Sequence, residues 1–244
     1  FVKDDTTKLE IEIYNGENIS YISKETVELI KKIKQNSYFI PTTTRTIEQF
    51  KRISFSKYGL DFKYAVTSNG GNILVNGEVD KEYKLLIKEK LKLSSHIKDI
   101  IELLENYKSI KGIKKIRKAE ELFLYIVIDR DTFDFKLLQP FIVEIKKLNW
   151  DTYINGTKIY FLPAELKKST AVKYLCNKLQ HKDTFAIGDS IMDKDMLDVC
   201  KNSYVLKHGE LSNLIDNNCD NLSISTRQSF NGTEEILNKI ILCQ

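Results

Sequence analysis

The C-terminal part of the chain alternates between two residue patterns, and this alternation constrains the fold more than any other feature. Helical patterns cover "KKSTAVKYLCNKLQ" (167–180), "DKDMLDVCKN" (193–202) and "GTEEILNKIILC" (232–243), whereas "TFAIGD" (184–189) and "SYVLK" (203–207) are typical of strands. A strand, a helix and the next strand form a β-α unit, whose strands pair in parallel. The sequence therefore predicts an α/β fold built on a parallel sheet.

The N-terminal part predicts a second set of strands and helices. In chain order these are a strand at "KLEIEIY" (8–14), a helix at "SKETVELIKKIKQ" (23–35), a strand at "SYFI" (37–40), a helix at "TIEQFKRISFSKY" (46–58) and a hairpin at "YAVTSNGGNILVNGE" (64–78). Ser23 is the predicted N-cap of the first helix. The Asn-Gly-Gly sequence between two apolar runs is a hairpin signal.

The middle of the chain predicts a separate module. Its predicted elements are a long helix at 80–107, strands at "IKKIRKA" (113–119) and "LFLYIVID" (122–129), a helix at 135–148 and a strand at "DTYINGTKIYFLP" (151–163). We expect residues 1–78 and 165–244 to form one discontinuous α/β domain, because neither part alone is long enough to cover a parallel sheet. Residues 79–164 are then an inserted α+β domain.

The composition indicates a globular protein. Hydrophobic residues make up 42% of the 244 residues, and the formal net charge is only +4. No run approaches the roughly 18 apolar residues of a membrane span, so no membrane partner is expected. The four cysteines are scattered without a Cys-x-x-Cys pair. Free thiols in a reducing cytoplasm explain this pattern best.

One basic run offers an alternative class of function. The sequence "KGIKKIRK" (111–118) could contact nucleic acid. A nucleic-acid-binding face combines concentrated basic charge with exposed aromatic residues, and few aromatic residues accompany this run. We interpret it as a solvated element and expect no nucleic-acid partner.

The sequence "FAIGDSIMDKDML" (185–197) is a candidate metal site. An apolar strand ends at Gly188, and Asp189 and Asp193 follow it about one helical turn apart. Ligands of open α/β sheets bind beyond the carboxyl ends of the strands. Mg²⁺ is usually held by one or two carboxylates together with water and substrate phosphate. The alternative is that Asp193 caps the helix that follows it.

Two further stretches could bind phosphate. In "SYFIPTTTRT" (37–46), Thr43, Thr44 and Arg45 follow a strand and precede a helix. Hydroxyls and free backbone N–H groups at a helix start bind phosphate oxygens, although N-capping is the alternative. In "LKKSTAVKYL" (166–175), Lys167 and Lys168 precede a helix, where a lysine can bind phosphate as a point charge. The alternative is that these lysines are solvated.

Taken together, the order of threonine, lysine and Asp-x-x-x-Asp resembles the haloacid dehalogenase (HAD) superfamily of phosphatases. The resemblance covers the outer domain, and "GDSIMDKDML" (188–197) is its most specific part. The loop "SNGGNILVNGE" (68–78) is similar to that of the Cof-type and sucrose-phosphatase-like subfamily. The resemblance implies a Rossmann-like three-layer core with a parallel sheet and an inserted α+β cap that selects the substrate.

The resemblance also implies a role for individual residues. Thr43 would hydrogen-bond the transferring phosphoryl group, and Lys168 would neutralise it. Asp189 and Asp193 would hold Mg²⁺ as the cofactor. The residues expected to bind substrate are Thr44, Arg45, Ser68, Asn69 and Gly70. The chain departs from the family pattern at Thr44, where glycine is common, and at Met192, where asparagine is common.

The catalytic motif of the family, Asp-x-Asp-x-Thr, is missing. Asp4 and Asp5 are adjacent and lack the required spacing. The stretch "LFLYIVIDRDTFD" (122–134) contains Asp129-x-Asp131, but Phe133 stands where a small hydroxyl residue is needed. We interpret that stretch as a strand-end turn with solvated aspartates.

The chain also begins with Phe1 and not with methionine. We therefore expect roughly 15 to 25 further residues upstream of this sequence, which form one strand and its catalytic turn and contain the nucleophilic aspartate. The sequence predicts a Mg²⁺-dependent phosphomonoester hydrolase of a small phosphorylated metabolite such as a sugar phosphate, inactive as this chain alone. The alternative is a non-catalytic HAD-like phosphate-binding protein. The sequence predicts neither the substrate nor the oligomeric state.

Overall fold

A computed structural model of the protein describes residues 7–215 and 221–243. Asp4 and Asp5 lie outside the described residues. Within these two ranges, no helix combines the length and the apolar character that a membrane crossing requires.

The described residues form strands and helices in close alternation. The strands are β1 (Lys8–Tyr14), β2 (Glu17–Ser23), β3 (Tyr64–Thr67), β4 (Asn72–Val75), β5 (Glu78–Val79), β6 (Ile113–Ala119), β7 (Phe123–Ile128), β8 (Trp150–Asn155), β9 (Lys158–Pro163), β10 (Phe185–Gly188), β11 (Asn202–Val205) and β12 (Leu222–Ile224). The helices are α1 (Lys24–Ile33), α2 (Ile47–Lys51), α3 (Lys81–Leu91), α4 (Ile97–Glu105), α5 (Phe135–Lys147), α6 (Lys168–Leu179), α7 (Lys194–Val199) and α8 (Ser229–Leu242).

The predicted parallel sheet is present in the C-terminal part. β10 pairs in parallel with β11, which pairs in parallel with β12. Helix α7 connects β10 to β11, as the β-α pattern predicted. Strand β12 was not predicted, because its three residues are too few for a periodic pattern. The mixed α/β architecture expected from the alternation is therefore confirmed.

Helix α1 shows how local sequence signals produce an element and bury its apolar face. Ser23 is the N-cap, and its Oγ accepts a hydrogen bond from the backbone N–H of Thr26 at 3.0 Å. Val27, Ile30 and Ile33 are buried in a cluster with residues of α8. Their spacing places them on one helix face, so burial of that face holds the first helix against the last.

A four-stranded antiparallel sheet lies within the segment predicted as an inserted domain. Its strand order is β6-β7-β9-β8. Helices α4 and α5 pack against one face of this sheet, where Ile100, Phe141, Ile126 and Phe161 are fully buried. Helix α3 packs elsewhere, because its Tyr83 joins a cluster of β3, β4 and α6 residues.

The long helix predicted over residues 80–107 is wrong, because it is two helices. The break lies at two serines that bond to a different part of the chain. Ser94 donates its Oγ hydrogen to the carbonyl oxygen of Asn149 at 2.9 Å, and the Ser95 N–H donates to Leu148 at 3.1 Å. His96 then caps α4. Serine favours such bonds over a helix interior.

Two other predicted elements are also divided. The helix predicted over 46–58 is α2 followed by a 3₁₀ turn at Phe55–Tyr58. Between them the Ser54 N–H donates to the carbonyl oxygen of Ile11 at 2.7 Å, which ends the helix. The single strand predicted over 151–163 is the hairpin of β8 and β9, which turns at Gly156 with φ +56.

The strand predicted at 37–40 is absent, and a cavity lies beside its position. The chain there forms only an isolated parallel bridge, between Thr42 and Val66. A cavity of about 860 Å³ is lined both by this segment, including Ile40, and by β10, including Ile187. In the part of the chain that the structure describes, β10 pairs with β11 alone. The second edge of β10 therefore faces this cavity.

Candidate active site

The loop after β10 is shaped by the Asp193 carboxylate, which folds back onto the end of the strand. Its Oδ2 accepts hydrogen bonds from the backbone N–H groups of Asp189 at 3.1 Å and Ser190 at 3.0 Å. Gly188 makes this possible, because a Cβ there would lie 2.5 Å from the Cβ of Asp193. Ser190 is thus the N-cap of a 3₁₀ turn at Ile191–Asp193, and Asp193 completes its capping box. Asp193 makes no side-chain cap bond to α7. The helix-capping alternative is therefore wrong for α7.

Lys168 and Asp193 form a buried ion pair. The Lys168 Nζ donates to the Asp193 Oδ1 at 2.5 Å, and the two side chains are only 5% and 8% exposed. Burial by itself would raise the pKa of Asp193, but the charge of Lys168 and the backbone N–H donors outweigh it and lower the pKa. An unpaired charge would be costly at this depth, so each residue requires the other. The solvated alternative for Lys168 is wrong.

Asp189 differs from Asp193, although it is only four residues away. Its side chain reaches solvent, but protein surrounds much of it. Burial and the nearby Asp193 charge raise the pKa of the Asp189 carboxyl, despite the opposing charges of His208 and Lys168. A raised pKa means that the negative charge of Asp189 lacks sufficient compensation. A cation at this carboxylate would supply it.

The donor set fits a Mg²⁺ ion held largely by water and substrate. An ionised carboxylate offers about four acceptor positions, and Asp193 uses three of them for Lys168 and two N–H groups. Asp193 can therefore offer one position, and Asp189 can offer more. No cluster of three or more His, Cys, Asp or Glu side chains that could hold a metal occurs in residues 7–215 and 221–243. Mg²⁺ does not require one, since one or two carboxylates are usual.

Thr43 lies beside β3 and is joined to the next loop. Its N–H donates to Val66 at 2.9 Å, and its carbonyl oxygen accepts from the Asn69 N–H at 3.1 Å. The Thr43 Oγ1 accepts from the Arg45 N–H at 3.2 Å. The N-cap of α2 is Thr46, which forms a capping box with Gln49. Neither Thr43 nor Thr44 is the cap, so the capping alternative is wrong for both.

Arg45 is engaged by a buried glutamate that sequence reasoning missed. Its Nη1 lies 2.6 Å from the Oε2 of Glu12, which is 1% exposed, and Arg52 lies 3.2 Å from the other oxygen. Ser20 also donates to Glu12 at 2.7 Å. Burial would raise the pKa of Glu12, but these partners lower it. Arg45 therefore contributes its charge to a network and is not a free anion-binding side chain.

The burial of Glu12 has no signal in the sequence. Glu10 and Glu12 alternate with apolar residues in β1, and a regular strand would place both glutamates on the same face. The register between β1 and β2 shifts on each side of Glu12, which indicates a β-bulge or an irregularity. A bulge re-aims one side chain relative to the alternation, and here it directs Glu12 inward beside the buried Ile11.

The loop Ser68–Gly70 packs directly against the start of α6. Gly70 has φ +89, and a Cβ there would lie 2.3 Å from the carbonyl oxygen of Lys167. Asn69 donates its Nδ2 hydrogen to the carbonyl oxygen of Leu166 at 3.0 Å. Only glycine allows this approach, so Gly70 fixes the loop against the helix that carries Lys168.

Sequence reasoning missed a second residue, Glu120. It connects the four-stranded sheet β6-β7-β9-β8, which we call the inserted sheet, to this loop. Glu120 lies between β6 and β7 with φ +52. Its carboxylate accepts hydrogen bonds from Ser68 Oγ, from Asn72 Nδ2 at 2.8 Å and from the Ile47 N–H at 2.7 Å. A glutamate in a polar turn gives no sequence signal of such a contact. Ser68 is thus satisfied by Glu120 in this structure.

The structure brings the predicted site residues together through direct contacts. Asp193 contacts Lys168, the loop at Asn69 and Gly70 contacts the start of α6, and Asn69 contacts Thr43. Residues from three distant parts of the sequence therefore meet at one place. The contacts of Arg45 lead away from this place, toward Glu12.

The remaining sequence candidates lie elsewhere. Asp129 forms an ion pair with Lys114 at 3.0 Å, and its pKa is lowered chiefly by that hydrogen bond. The Asp129 side chain also accepts from the Asp131 N–H at 3.2 Å, which is a local turn. The basic run 111–118 is largely strand β6, an edge strand with exposed lysines. Lysines on an edge strand discourage further strand pairing.

Comparison with known proteins gives a family match over most of the chain. Residues 15–125 and 128–232 match the family model of haloacid dehalogenase-like hydrolases. The comparison with curated proteins found no match.

Several solved structures share the fold. The sucrose-phosphatase from Synechocystis sp. PCC6803, in complex with sucrose and phosphate, is 16% identical with a TM-score of 0.71, covering 90% of this chain and 91% of that one. A protein from Thermoplasma acidophilum is 15% identical with a TM-score of 0.65, covering 96% of each chain. A sugar phosphatase of HAD subclass IIB is 12% identical with a TM-score of 0.60, covering 83% of this chain and 86% of that one.

Proposed function

Because the chain belongs to the haloacid dehalogenase-like hydrolases, we propose that it is a cytoplasmic, Mg²⁺-dependent phosphomonoester hydrolase. Its substrate would be a small phosphorylated metabolite such as a sugar phosphate. The observation that carries the proposal is the buried Lys168–Asp193 ion pair beside the under-compensated Asp189. The Lys168 ammonium group and the carboxylates of Asp189 and Asp193 lie beyond the carboxyl end of parallel strand β10. Such a set of groups can bind a metal ion together with phosphate.

The chain's own residues would divide the work. Thr43 would donate its hydroxyl hydrogen to a phosphoryl oxygen, since its Oγ1 accepts from Arg45 and keeps its hydrogen available. Lys168 would neutralise phosphoryl charge while Asp193 holds it in place. Asn69 and Gly70 would keep the start of α6 in position. Thr44 would contact the substrate at the edge of the site. Ser68 and Arg45 would reach the substrate only by exchanging their present partners, Glu120 and Glu12.

Mg²⁺ bound at Asp189 and Asp193 would neutralise the phosphate and orient it for attack. Residues 79–164 would act as the cap that covers the site and excludes water during the reaction. The contact of Glu120 with Ser68 supports this role, since it joins the inserted sheet to the catalytic loops.

The hydrolysis would proceed through a phosphoaspartyl intermediate, and we propose that the nucleophilic aspartate lies upstream of this sequence. The attacking carboxylate would form a P–O bond while the P–O bond to the alcohol breaks, and the second aspartate of the upstream motif would protonate the leaving alcohol. The same aspartate would then take a proton from the water that releases phosphate and restores the carboxylate. The cavity beside β10 supports this part of the proposal. It is bordered by two backbone segments between which one further strand would pair, and β10 has an edge facing it.

The alternative is a HAD-like protein that binds phosphate without hydrolysing it. The buried Lys168–Asp193 ion pair supports this candidate too, because it can bind phosphate whether or not a nucleophile is present. Both candidates use the same pocket, so they differ in turnover and not in phosphate binding.

Hydrolysis of an aryl phosphate by the 244-residue protein, with Mg²⁺ and with EDTA, tests the proposal. The Asp189→Asn variant should lose any Mg²⁺-dependent turnover. The Asp198→Asn variant is a matched control, because Asp198 lies on exposed α7 surface paired with Lys194. Calorimetric titration with inorganic phosphate and Mg²⁺ completes the experiment.

The combination of phosphate binding and turnover distinguishes three cases. Turnover that only Asp189→Asn abolishes supports a phosphatase and contradicts an upstream nucleophile, and Asp4→Asn and Asp129→Asn would then locate the nucleophile. Phosphate binding without turnover supports either the non-catalytic protein or the upstream nucleophile, which a longer chain distinguishes. Neither binding nor turnover would overturn both candidates.

A further inference from the structure

The inserted sheet has a second face, opposite to the one that helices α4 and α5 cover. In the strand register, Tyr160 of β9 lies opposite Tyr125 of β7 and Tyr153 of β8, and Lys158 of β9 lies opposite Asn155 of β8. Directly paired residues share a face, and residues two apart on a strand also share it. These five residues therefore form one surface, which we call the tyrosine face.

The tyrosine face lies toward the catalytic loops. Asn155 donates its Nδ2 hydrogen to the Oγ of Ser190, which follows Asp189, at 3.2 Å. Burial raises the pKa of Tyr160 to about 12, and Thr44 and Arg45 lie close enough to oppose that rise. The surface is thus placed over the loops after β10 and around Thr44, where the alcohol part of a phosphoester would lie.

Lys158 is the charged residue among these five. Its Nζ lies 5.5 Å from the centre of the Tyr125 ring. The ion pairs found within 7–215 and 221–243 do not include Lys158. Lys158 remains exposed to solvent, although the protein around it lowers its pKa; the Arg45 charge lowers the pKa further, and Glu12 opposes both.

The neighbouring charges leave a positive excess. Glu12 is the carboxylate that opposes the Arg45 charge at Lys158, and its two oxygens already face Arg45 and Arg52. Lys158 and Arg45 therefore remain as two neighbouring positive charges. Two like charges held close together in a cleft favour an anionic ligand.

We propose that the tyrosine face binds the alcohol part of the substrate and that Lys158 binds a second oxyanion on it, a carboxylate or a second phosphate. This inference rests on the proposed phosphatase function and narrows its substrate to phosphomonoesters of acidic alcohols. The aromatic rings supply apolar contact area, while Asn155 and the tyrosine hydroxyls supply hydrogen bonds to alcohol groups. The ester phosphate itself would lie at Thr43 and Lys168.

Three ligands with one carbon skeleton test the proposal by titration calorimetry in EDTA, where a Mg²⁺-dependent hydrolase leaves them intact. Glycerol phosphate lacks a second oxyanion, phosphoglycerate adds a carboxylate and glycerol bisphosphate adds a phosphate. The native protein should bind at least one acidic ligand about tenfold more tightly than glycerol phosphate, which corresponds to about 1.4 kcal/mol. Whichever acidic ligand is favoured identifies the oxyanion.

The variant Lys158→Gln should lose this tenfold preference and bind glycerol phosphate unchanged, whereas Lys158→Arg should retain it. Lys147→Gln is the charge-matched control, since Lys147 is exposed on α5, on the other side of the sheet. An equal loss for all three ligands would mean that Lys158 binds the ester phosphate and would overturn the proposal. No preference in the native protein would also overturn it. Failure of the phosphatase function is recognised separately, as a preserved preference without Mg²⁺-dependent turnover of any of these esters by a longer chain that includes the upstream aspartate.

Discussion

Two places in this molecule carry the same sequence pattern, an apolar strand followed by two aspartates, and the structure treats them differently. After β10, Asp193 folds back beneath the strand end and pairs with Lys168, with both side chains nearly excluded from water. After β7, Asp129 pairs with Lys114 at the surface, where the side chains are 32% and 58% exposed. The distances are 2.5 Å and 3.0 Å, so both are ion pairs.

The difference lies in the surroundings and not in the pattern. An exposed ion pair is screened by water and contributes little to stability. A buried pair is weak evidence for net stabilisation, but removing one partner leaves an uncompensated charge in a low dielectric. The burial of its ion pair therefore makes the Asp193 loop sensitive to substitution. The sequence pattern alone does not show whether an aspartate is buried.

The largest expected effect is that of Asp193→Ala. The substitution removes the partner of buried Lys168 and the carboxylate oxygen that accepts from two backbone N–H groups. We expect the free energy of unfolding to fall by about 3–5 kcal/mol, measured by urea denaturation. A loss below about 1 kcal/mol would mean that water reaches Lys168, and the contrast between the two loops would fail.

The substitution Glu12→Gln tests a second buried carboxylate, which lies away from the proposed metal site. Glu12 is buried and accepts from Arg45, Arg52 and Ser20, so we expect a loss of about 1.5–3 kcal/mol at neutral pH for its charged hydrogen bonds. Its folded-state pKa lies below the unfolded value of about 4.3. The contribution is therefore present above that pH and is lost as pH falls through the folded-state pKa.

Urea denaturation of the native protein and of Glu12→Gln between about pH 3 and about pH 7, which spans the unfolded-state pKa, checks the direction of this pH dependence. The difference in unfolding free energy should be constant near neutral pH and shrink below about pH 4. A difference that grows on acidification would contradict a lowered pKa for Glu12.

Gly188→Ala tests the geometric reason for the first loop. A Cβ at Gly188 would lie 2.5 Å from the Asp193 Cβ, so the carboxylate has to move from its position under the strand. We expect a loss of about 1–3 kcal/mol, the usual range for overpacking. Thermal unfolding followed by circular dichroism measures it. Native stability in this variant would show that Asp193 does not depend on the missing side chain.

The smallest effect is expected for Asp129→Ala, the counterpart of the first substitution. Asp129 and Lys114 are solvent-exposed, and the remaining bond of Asp129 is a local turn contact. We expect no measurable change in urea denaturation at physiological salt, because screening weakens such a pair further. A loss comparable to that of Asp193→Ala would remove the distinction between the loops.

Local signals in the sequence were sufficient for much of the fold. The cap at Ser23, the apolar face of α1 and the β-α pattern from α6 to β11 each follow from residues close together in the chain. Predictions were wrong where distant backbone groups competed with local preference. Ser94 and Ser95 end a helix by bonding to residues 148 and 149, and Ser54 does so by bonding to Ile11.

The candidate site shows the same division. Thr43, Lys168, Asp189 and Asp193 were recognisable because strand ends followed by hydroxyl, amine or carboxylate groups form a pattern. Glu12 and Glu120 were not, because a β-bulge and a left-handed turn residue direct their side chains toward partners far away in the sequence. Arg45 was recognised as a cation, but its partner was not.

The sequence by itself determined the α/β architecture, the family resemblance and the residues that meet near Asp189, because periodicity and motif spacing are local properties of the chain. The tertiary structure decided which of these charges are buried and which partner each one has. It paired Lys168 with Asp193, paired Arg45 with Glu12 and placed Lys158 over the ring of Tyr125. Burial and pairing depend on what the rest of the chain places around a side chain, and the energy of a charge changes several-fold with that environment.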